Sequence, residues 1–304
     1  MGNPEFAVPS LKIIAESKYT LLAVVSNPSK FIGRNKTEKI TKVGEFAKSQ
    51  NIPLFQPQTL DDPEFLNEME TLRPDYFLVV AFKILPDLLL DIPRKGSINL
   101  HASLLPHYRG AAPIQRAIMN GEMETGLSTF IIRKSVDTGS ILMQVKAAIT
   151  DSDTFGTLSE NMSKKGADLL LETLHHLKNK SLSPKEQDHS NATSAPKIKE
   201  NDSCIKWSQP AEKIHNQIRG LAPIPGAFTY FNGIRLKILR SSVNYSNEKQ
   251  NPGTVVFCDK KLLIIQTGDG HIELNTIQRE GKKTMETPDF LNGIDINIGD
   301  MFGK

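Results

Sequence analysis

The stretch from Ser97 to Ile114 constrains the fold of this chain more than any other. Ile98 and Leu100 alternate with Asn99, His101 and Ser103, so a strand here sends an amide, an imidazole and a hydroxyl to one face. Pro106 and Gly110 end the alternation, and Pro113 opens a helix over 114–119 at the first position, where proline is preferred. Ligands of open parallel sheets bind at the carboxyl ends of strands, so this junction is a candidate site. Further on, Ser135–Val136–Asp137–Thr138–Gly139 forms a tight turn between apolar strands expected at 127–132 and 141–147. An Asp in that turn is placed to reach the imidazole and fix its tautomer. Each piece has a plainer reading. A histidine at a strand end is most often structural, and Asp-Thr-Gly alone is mostly turn chemistry. The combination is rarer than its parts.

Elsewhere strands and helices alternate. A helix is expected over 8–16, a continuous apolar strand over 20–25, a helix over 43–50 and a short strand over 53–55. A helix over 63–72, capped by Asp61–Asp62, and a buried strand over 76–81 follow. The pattern predicts a Rossmann-like α/β domain with a parallel sheet and right-handed crossovers. After an amphipathic helix over 157–178, residues 179–203 are rich in Ser, Asn, Lys and Pro and read as a linker. His175 and His176 end that helix, where the dipole favours imidazolium, and are not read as metal ligands. A helix over 209–219 opens the remainder. Asn232–Gly233 between apolar strands predicts a type I′ hairpin, and short strands over 255–257, 262–266 and 272–277 predict a small OB-like barrel. The expected division is therefore 1–178, a linker over 179–203, and 204–304.

Composition excludes more than it selects. Hydrophobic residues make up 38% and charged residues 23% of the chain, as in ordinary globular proteins. No apolar run approaches the roughly 20 residues of a membrane span, and no signal peptide precedes Pro4. Cys204 and Cys258 lack disulfide-framework or metal-ligand spacing and read as reduced cytosolic thiols. A G-x-G-x-x-G after an early strand is missing, which argues against a nicotinamide-dependent dehydrogenase. The net charge of +3 is small, but its distribution is uneven. Lys30, Arg34, Lys36, Lys39 and Lys42 crowd one loop against Glu38. Between residues 205 and 247, Lys206, Lys213, Arg219, Arg235, Lys237 and Arg240 face only Glu212. Arg235 and Lys237 share the strand face opposite the core. Such a face suits a phosphate backbone, although solvated loops and strand faces carry such charges too.

Ser103–Leu104–Leu105–Pro106, Arg109–Gly110–Ala111–Ala112–Pro113–Ile114 and Asp137–Thr138–Gly139 resemble the signature of the folate-dependent formyltransferases. The likeness extends to Gly2–Asn3–Pro4–Glu5–Phe6, to Trp207–Ser208–Gln209–Pro210–Ala211 and to Ile218–Arg219–Gly220–Leu221, and so covers nearly the whole chain. It is nearest to the members that act on methionyl-initiator-tRNA. The resemblance implies a cytoplasmic, monomeric enzyme of translation initiation with 10-formyltetrahydrofolate as formyl donor. It implies Asn99, His101 and Asp137 as catalytic residues, and Ser103, Leu104, Leu105 and Pro106 as the folate wall. The cationic loop, with Arg34 and Lys36, is implied to grip the tRNA acceptor end, and Lys206, Arg235 and Lys237 are the expected contacts of the second domain. It also implies a buried strand upstream of Gly2, so that either the start is assigned too late or the chain lacks a central strand; the expectation is a late start, and an upstream in-frame start encoding no apolar strand would refute it.

The implied chemistry fits these side chains. A formyl group moving to an amine passes through an oxyanion and requires proton transfer. A histidine of reference pKa about 6.5 handles protons. An Asn amide donates to an oxyanion without adding charge, and an Asp supports the imidazolium. Whether His101 is base, acid or electrostatic stabiliser stays open at this level. Rival readings are a formyltransferase for a glycinamide ribotide or an amino-sugar nucleotide, a formyl-folate hydrolase, and a non-catalytic RNA-binding protein. The basic second domain argues against the glycinamide-ribotide and amino-sugar substrates, the catalytic core alone leaves the hydrolase open, and intact Asn99, His101 and Asp137 argue against the last.

Overall fold

The computed structural model describes residues 1–32, 37–244 and 249–303. In chain order the elements are α1 (Val8–Ala15), β1 (Val24–Val25), β2 (Lys30–Ile32), β3 (Thr37–Lys39), α2 (Lys42–Ser49), β4 (Leu54–Phe55), α3 (Pro63–Thr71) and β5 (Phe77–Val80). Next come α4 (Asp87–Leu90), β6 (Ser97–His101), α5 (Pro113–Met119), β7 (Glu124–Ile131), β8 (Ile141–Ala148) and α6 (Phe155–Lys178). Then follow α7 (Glu200–Ser203), α8 (Ala211–Leu221), β9 (Ala227–Phe231), β10 (Ile234–Asn244), β11 (Val255–Cys258), β12 (Leu263–Gln266), β13 (His271–Arg279), β14 (Thr284–Glu286) and α9 (Thr287–Leu291). None of the described helices is long and apolar enough to cross a membrane.

The chain forms two compact units. The first comprises 1–110, 124–148 and 159–195, and the second 111–123, 149–158 and 196–304. In the first, β5 and β6 pair in parallel, β7 and β8 add antiparallel, and β1 pairs in parallel with β4. The sheet is thus mixed where the alternation of strands and helices predicts a parallel one. The apolar run over 20–25 is paired only at Val24 and Val25, because β4 is two residues long. Residues 1 and 2 lie between β1 and β5: Gly2 N–H donates to the Val25 carbonyl at 3.1 Å, and Val80 N–H to the Met1 carbonyl at 3.0 Å. Helix starts follow local chemistry. Thr41 caps α2 by accepting from Gly44 N–H, and Asp62 caps α3 by accepting from Glu64 and Phe65. Residues 179–195, which composition assigns to a linker, belong to the first unit, and a local reason appears below.

In the second unit the strands run β11-β12-β13-β10-β9 with β14 beside β13, all antiparallel. The described pairings leave this sheet open, and the outer edge of β9 is taken by Ile205, whose N–H donates to the Phe228 carbonyl at 2.8 Å. The expected hairpin is present, with Asn232 and Gly233 both at positive φ, as a type I′ turn requires. β10 runs on to Asn244 through register shifts on either side of Arg240. Leu236, Ile238, Ile265 and Ile272 of the sheet are fully buried with Ile218 and Leu221 of α8.

Candidate active site and basic face

Ile98 and Leu100 are buried to 2% and 3% exposure, which fixes which face of β6 presents Asn99 and His101. Asn99 is half-buried, and its side-chain amide makes no hydrogen bond within the described residues. His101 is only 7% exposed and packs edge-on to Phe130 at 6.5 Å between ring centroids. Its Nε2 lies 2.9 Å from the Tyr108 carbonyl. A carbonyl only accepts, so Nε2–H donates and the neutral tautomer is set there. Nδ1 faces Asp137, 3.7 Å from Oδ2. Sequence reasoning gives the tautomer-fixing role to Asp137; in the folded chain the Tyr108 carbonyl holds it, and Asp137 sits beside the other ring nitrogen. Asp137 Oδ2 accepts from Gly110 N–H at 2.8 Å, which aims the carboxylate.

Two backbone positions carry strain here. Tyr108 has φ +57° and Asp137 φ +53°. Left-handed conformations cost non-glycine residues on the order of 1–3 kcal/mol and collect at functional sites. Glycines admit the close approaches around them. A Cβ on Gly110 would come within 2.7 Å of the Ala195 carbonyl oxygen, and one on Gly139 would collide with the Ile131 carbonyl.

The expected folate wall is rigid. Ser103 Oγ donates to the His107 carbonyl at 2.6 Å, and Ser128 Oγ donates to the Ser103 carbonyl at 2.7 Å. Leu105 N–H donates to Ser128 Oγ at 3.0 Å, and Gln144 Nε2 donates to the Leu105 carbonyl at 3.0 Å. Ser103 and Leu105 are buried to 1% and 3% exposure, whereas Leu104 and Pro106 are half-buried. The stretch therefore presents two side chains and a braced backbone.

The residues that sequence reasoning missed lie in the supposed linker. Lys185 pairs through its backbone with Ile141. Gln187, 6% exposed, donates from Nε2 to the carbonyls of Asp137 at 2.9 Å and Gly139 at 2.7 Å. Its Oε1 accepts from Arg109 Nη2 at 2.6 Å and from Nε at 3.2 Å. Thr193 Oγ1 accepts from Tyr108 N–H at 2.8 Å, and Arg109 exchanges backbone bonds with Thr193 and Ala195. Beside this strap the Ser140 hydroxyl, and then the Arg133 guanidinium, hold the Glu186 carboxyl below its usual range. One polar segment thus straps both loops of the candidate site. Its signal in sequence is only a run of side-chain donors and acceptors, which a solvated linker also has.

Of the expected nucleic-acid contacts, Arg34 and Lys36 lie outside the described residues. Lys206 is exposed just before the buried Trp207. Arg235 and Lys237 follow one another on one face of β10, half-buried between the buried Leu236 and Ile238. The Arg235 guanidinium lies over the Phe228 ring at 3.7 Å, and Nη1 is 3.4 Å from Glu200. In the same unit Arg116 makes a two-pronged contact with Asp202, at 2.9 and 3.3 Å. That hydrogen bonding, the Lys199 N–H and the Arg116 charge hold the Asp202 carboxyl below its ordinary range against the opposing effect of burial.

Residues 2–174 match the family described as formyl transferase, and residues 197–295 match the formyl transferase C-terminal domain. A protein of Thermodesulfovibrio yellowstonii named methionyl-tRNA formyltransferase is 42% identical over 299 residues, covering 98% of this chain and 96% of the relative. A protein of Acetivibrio thermocellus with the same name is 39% identical over 306 residues, covering 100% of this chain and 98% of the relative. In fold, the chain is similar to an N-formyltransferase from Helicobacter canadensis solved with folinic acid and dTDP-3-aminofucose. That likeness has a TM-score of 0.68 at 22% identity, over 91% of this chain and 97% of the other. A buried imidazole–carboxylate pair at the end of β6, two matched domains in order and full-length relatives bearing one name converge: the chain belongs to the formyl transferase family, among the methionyl-tRNA formyltransferases.

Proposed function

We propose that this chain transfers the formyl group of 10-formyltetrahydrofolate to the amino group of methionyl-initiator-tRNA, the reaction that prepares the initiator for translation. The observation that carries this reading is the arrangement at the end of β6. A nearly dry His101 has one nitrogen fixed by a carbonyl and the other beside Asp137, next to an Asn99 amide with free donors.

The neutral amine attacks the formyl carbon, and the carbonyl π electrons move to oxygen. Asn99 Nδ2–H donates to that oxyanion; removing one such donor typically costs about a hundredfold or more in rate. His101 accepts the amine's proton at Nδ1, the nitrogen not held by Tyr108. The Asp137 charge stabilises the imidazolium, which then protonates the departing folate nitrogen as the tetrahedral carbon collapses. His101 thus serves as base and then acid. We assign the folate wall to Ser103, Leu104, Leu105 and Pro106: Leu104 and Pro106 present side chains, and Ser103 and Leu105 lock the backbone. The tRNA contacts are Lys206, Arg235 and Lys237 with Arg34 and Lys36. Catalysis belongs to the part expected over 1–178 together with the strap, and tRNA holding to 204–304. We place the enzyme in the cytoplasm as a monomer; its cysteines, Cys204 and Cys258, are free thiols, which fits a reducing compartment.

The test is acid-gel electrophoresis of methionyl-initiator-tRNA after incubation with purified protein and 10-formyltetrahydrofolate. A shift to the formylated species is expected. Folate turnover with release of formate and unmodified tRNA would replace this reading with the hydrolase one.

A further inference from the structure

We propose that the second unit contains a pocket for a single phosphorylated nucleotide of RNA, in which the base stacks on the Arg235 guanidinium. This inference rests on the reading of the chain as a tRNA-modifying enzyme and specifies how the basic face takes hold. The pocket is a cavity of about 460 Å³. Lys199, Arg235, Lys237 and Arg279 line it against Glu200 and Glu280, so cations outnumber carboxylates two to one. The folded sheet gathers them from distant parts of the sequence: β10 supplies Arg235 and Lys237, and β13 pairs beside it and ends in Arg279. Gly226, at φ +84°, opens the cavity next to Lys237, since an added Cβ would lie 3.1 Å from that side chain.

Arg235 gives the pocket its chemical selectivity. The Arg235 guanidinium carbon lies over the ring of Phe228, 3% exposed, at 3.7 Å from its centroid. Arg235 itself lines the cavity. Among the described residues its Nε is buried without a hydrogen-bond partner, and its one ion pair, to Glu200 at 3.4 Å, involves a carboxylate 72% exposed. A guanidinium pinned on an aromatic ring is a flat, cationic platform, and unstacked bases bind such planes. Lys237, Arg279 and Lys199 border the same space for the phosphate, while Ile198 and Pro225 add apolar surface. A phosphorylated nucleotide offers both a planar face and an anion. An acidic peptide offers only the second.

The experiment compares binding of initiator tRNA, a single-stranded RNA tetranucleotide and adenosine 5′-monophosphate to the full chain and to Arg235→Lys and Arg279→Ala. Lysine keeps the charge and loses the plane, so Arg235→Lys is expected to bind both RNAs about tenfold more weakly. Arg279→Ala is expected to weaken RNA binding and to lower the salt slope by about one. Thermal melts establish that each variant is folded, and Arg279→Ala stands as the second probe should Arg235→Lys unfold. RNA binding unchanged in both folded variants overturns the pocket while leaving tRNA binding by the parent chain intact. Parent binding to adenosine 5′-monophosphate, with tRNA affinity unchanged in the variants, overturns the RNA source in favour of a free nucleotide. A parent chain that binds no tRNA overturns the reading on which the proposal rests.

Discussion

The two basic-acidic regions of this molecule are built on opposite plans. Around His101 in the first unit, polar groups are buried and bonded directionally: Tyr108, Asp137, Gly110, Gln187 and Arg109 form one connected set with side-chain exposures of 8% for His101 and 12% for Asp137. On the β10 face of the second unit, cations are half-exposed and loosely paired; Arg235 is 30% and its partner Glu200 72% exposed. Buried networks are cooperative, and an unsatisfied member costs its full desolvation. Exposed charges act through a screened field that sums over many contributors. Chemistry needs atoms held to fractions of an ångström, whereas holding a polyanion needs only charge of the right sign. The first plan should therefore be brittle and the second graded.

The largest effect tests the brittle side. His101→Ala is expected to lower the formylation rate by about a thousandfold or more, with tRNA affinity unchanged in a binding assay. Asp137→Asn keeps an oxygen for Gly110 N–H and removes only the charge, so a comparable loss of kcat would identify the charge rather than the geometry as its contribution. A severalfold effect in either would break the contrast. Next comes Asn99→Ala, with an expected loss of about a hundredfold in kcat and little change in KM for the folate, read from steady-state kinetics.

Gln187→Leu tests the strap. It strips partners from the Asp137 and Gly139 carbonyls and from Arg109, and should cost about 1–3 kcal/mol of stability. A drop in kcat should accompany the lower Tm, because the Asp137 turn loses its brace; a lower Tm with unchanged kcat would reduce the strap to a structural tie. Arg116→Ala belongs to the second unit and is expected to cost about 1–3 kcal/mol at neutral pH. The Asp202 carboxyl has its pKa depressed in the folded chain. Its stabilising contribution is therefore complete above the unfolded value of about 3.9 and is lost as pH falls through the folded value. Denaturant melts at about pH 7 and about pH 3 should show parent and variant converging in acid. Lys206→Gln, the smallest effect, should weaken tRNA binding only a fewfold and reduce the salt slope by about one. A much larger loss would show that the basic face, too, contains a critical contact.

How much of this was legible depends on the range of the interactions involved. β6 and its alternation, the helix opened by Pro113, the Asn232–Gly233 turn and the capped helices α2 and α3 could be read because each depends on neighbours within a few residues. The pairing of His101 with the Asp137 turn was inferable from residue types and the resemblance. The direction of β7 and β8 was not, since an apolar run carries no sign of parallel or antiparallel pairing. The linker expected over 179–203 differs most from the folded chain, since 179–195 belong to the first unit. Polar composition signals solvent exposure only when the polar groups lack protein partners, and Gln187 and Thr193 have theirs in loops far away in sequence.

By itself, then, the sequence determined the class of fold, the side chains available for proton transfer and oxyanion binding, and the family. Tertiary structure decided how those side chains are used. It gave the tautomer of His101 to a backbone carbonyl, left Asp137 beside the other ring nitrogen, turned a supposed linker into the strap of the site, and gathered Lys199, Arg235, Lys237 and Arg279 around one cavity. Residue type and spacing record what a side chain can donate or accept. The partner that meets it is fixed only when segments distant along the chain come within 3 Å, and that distance is written in no single segment.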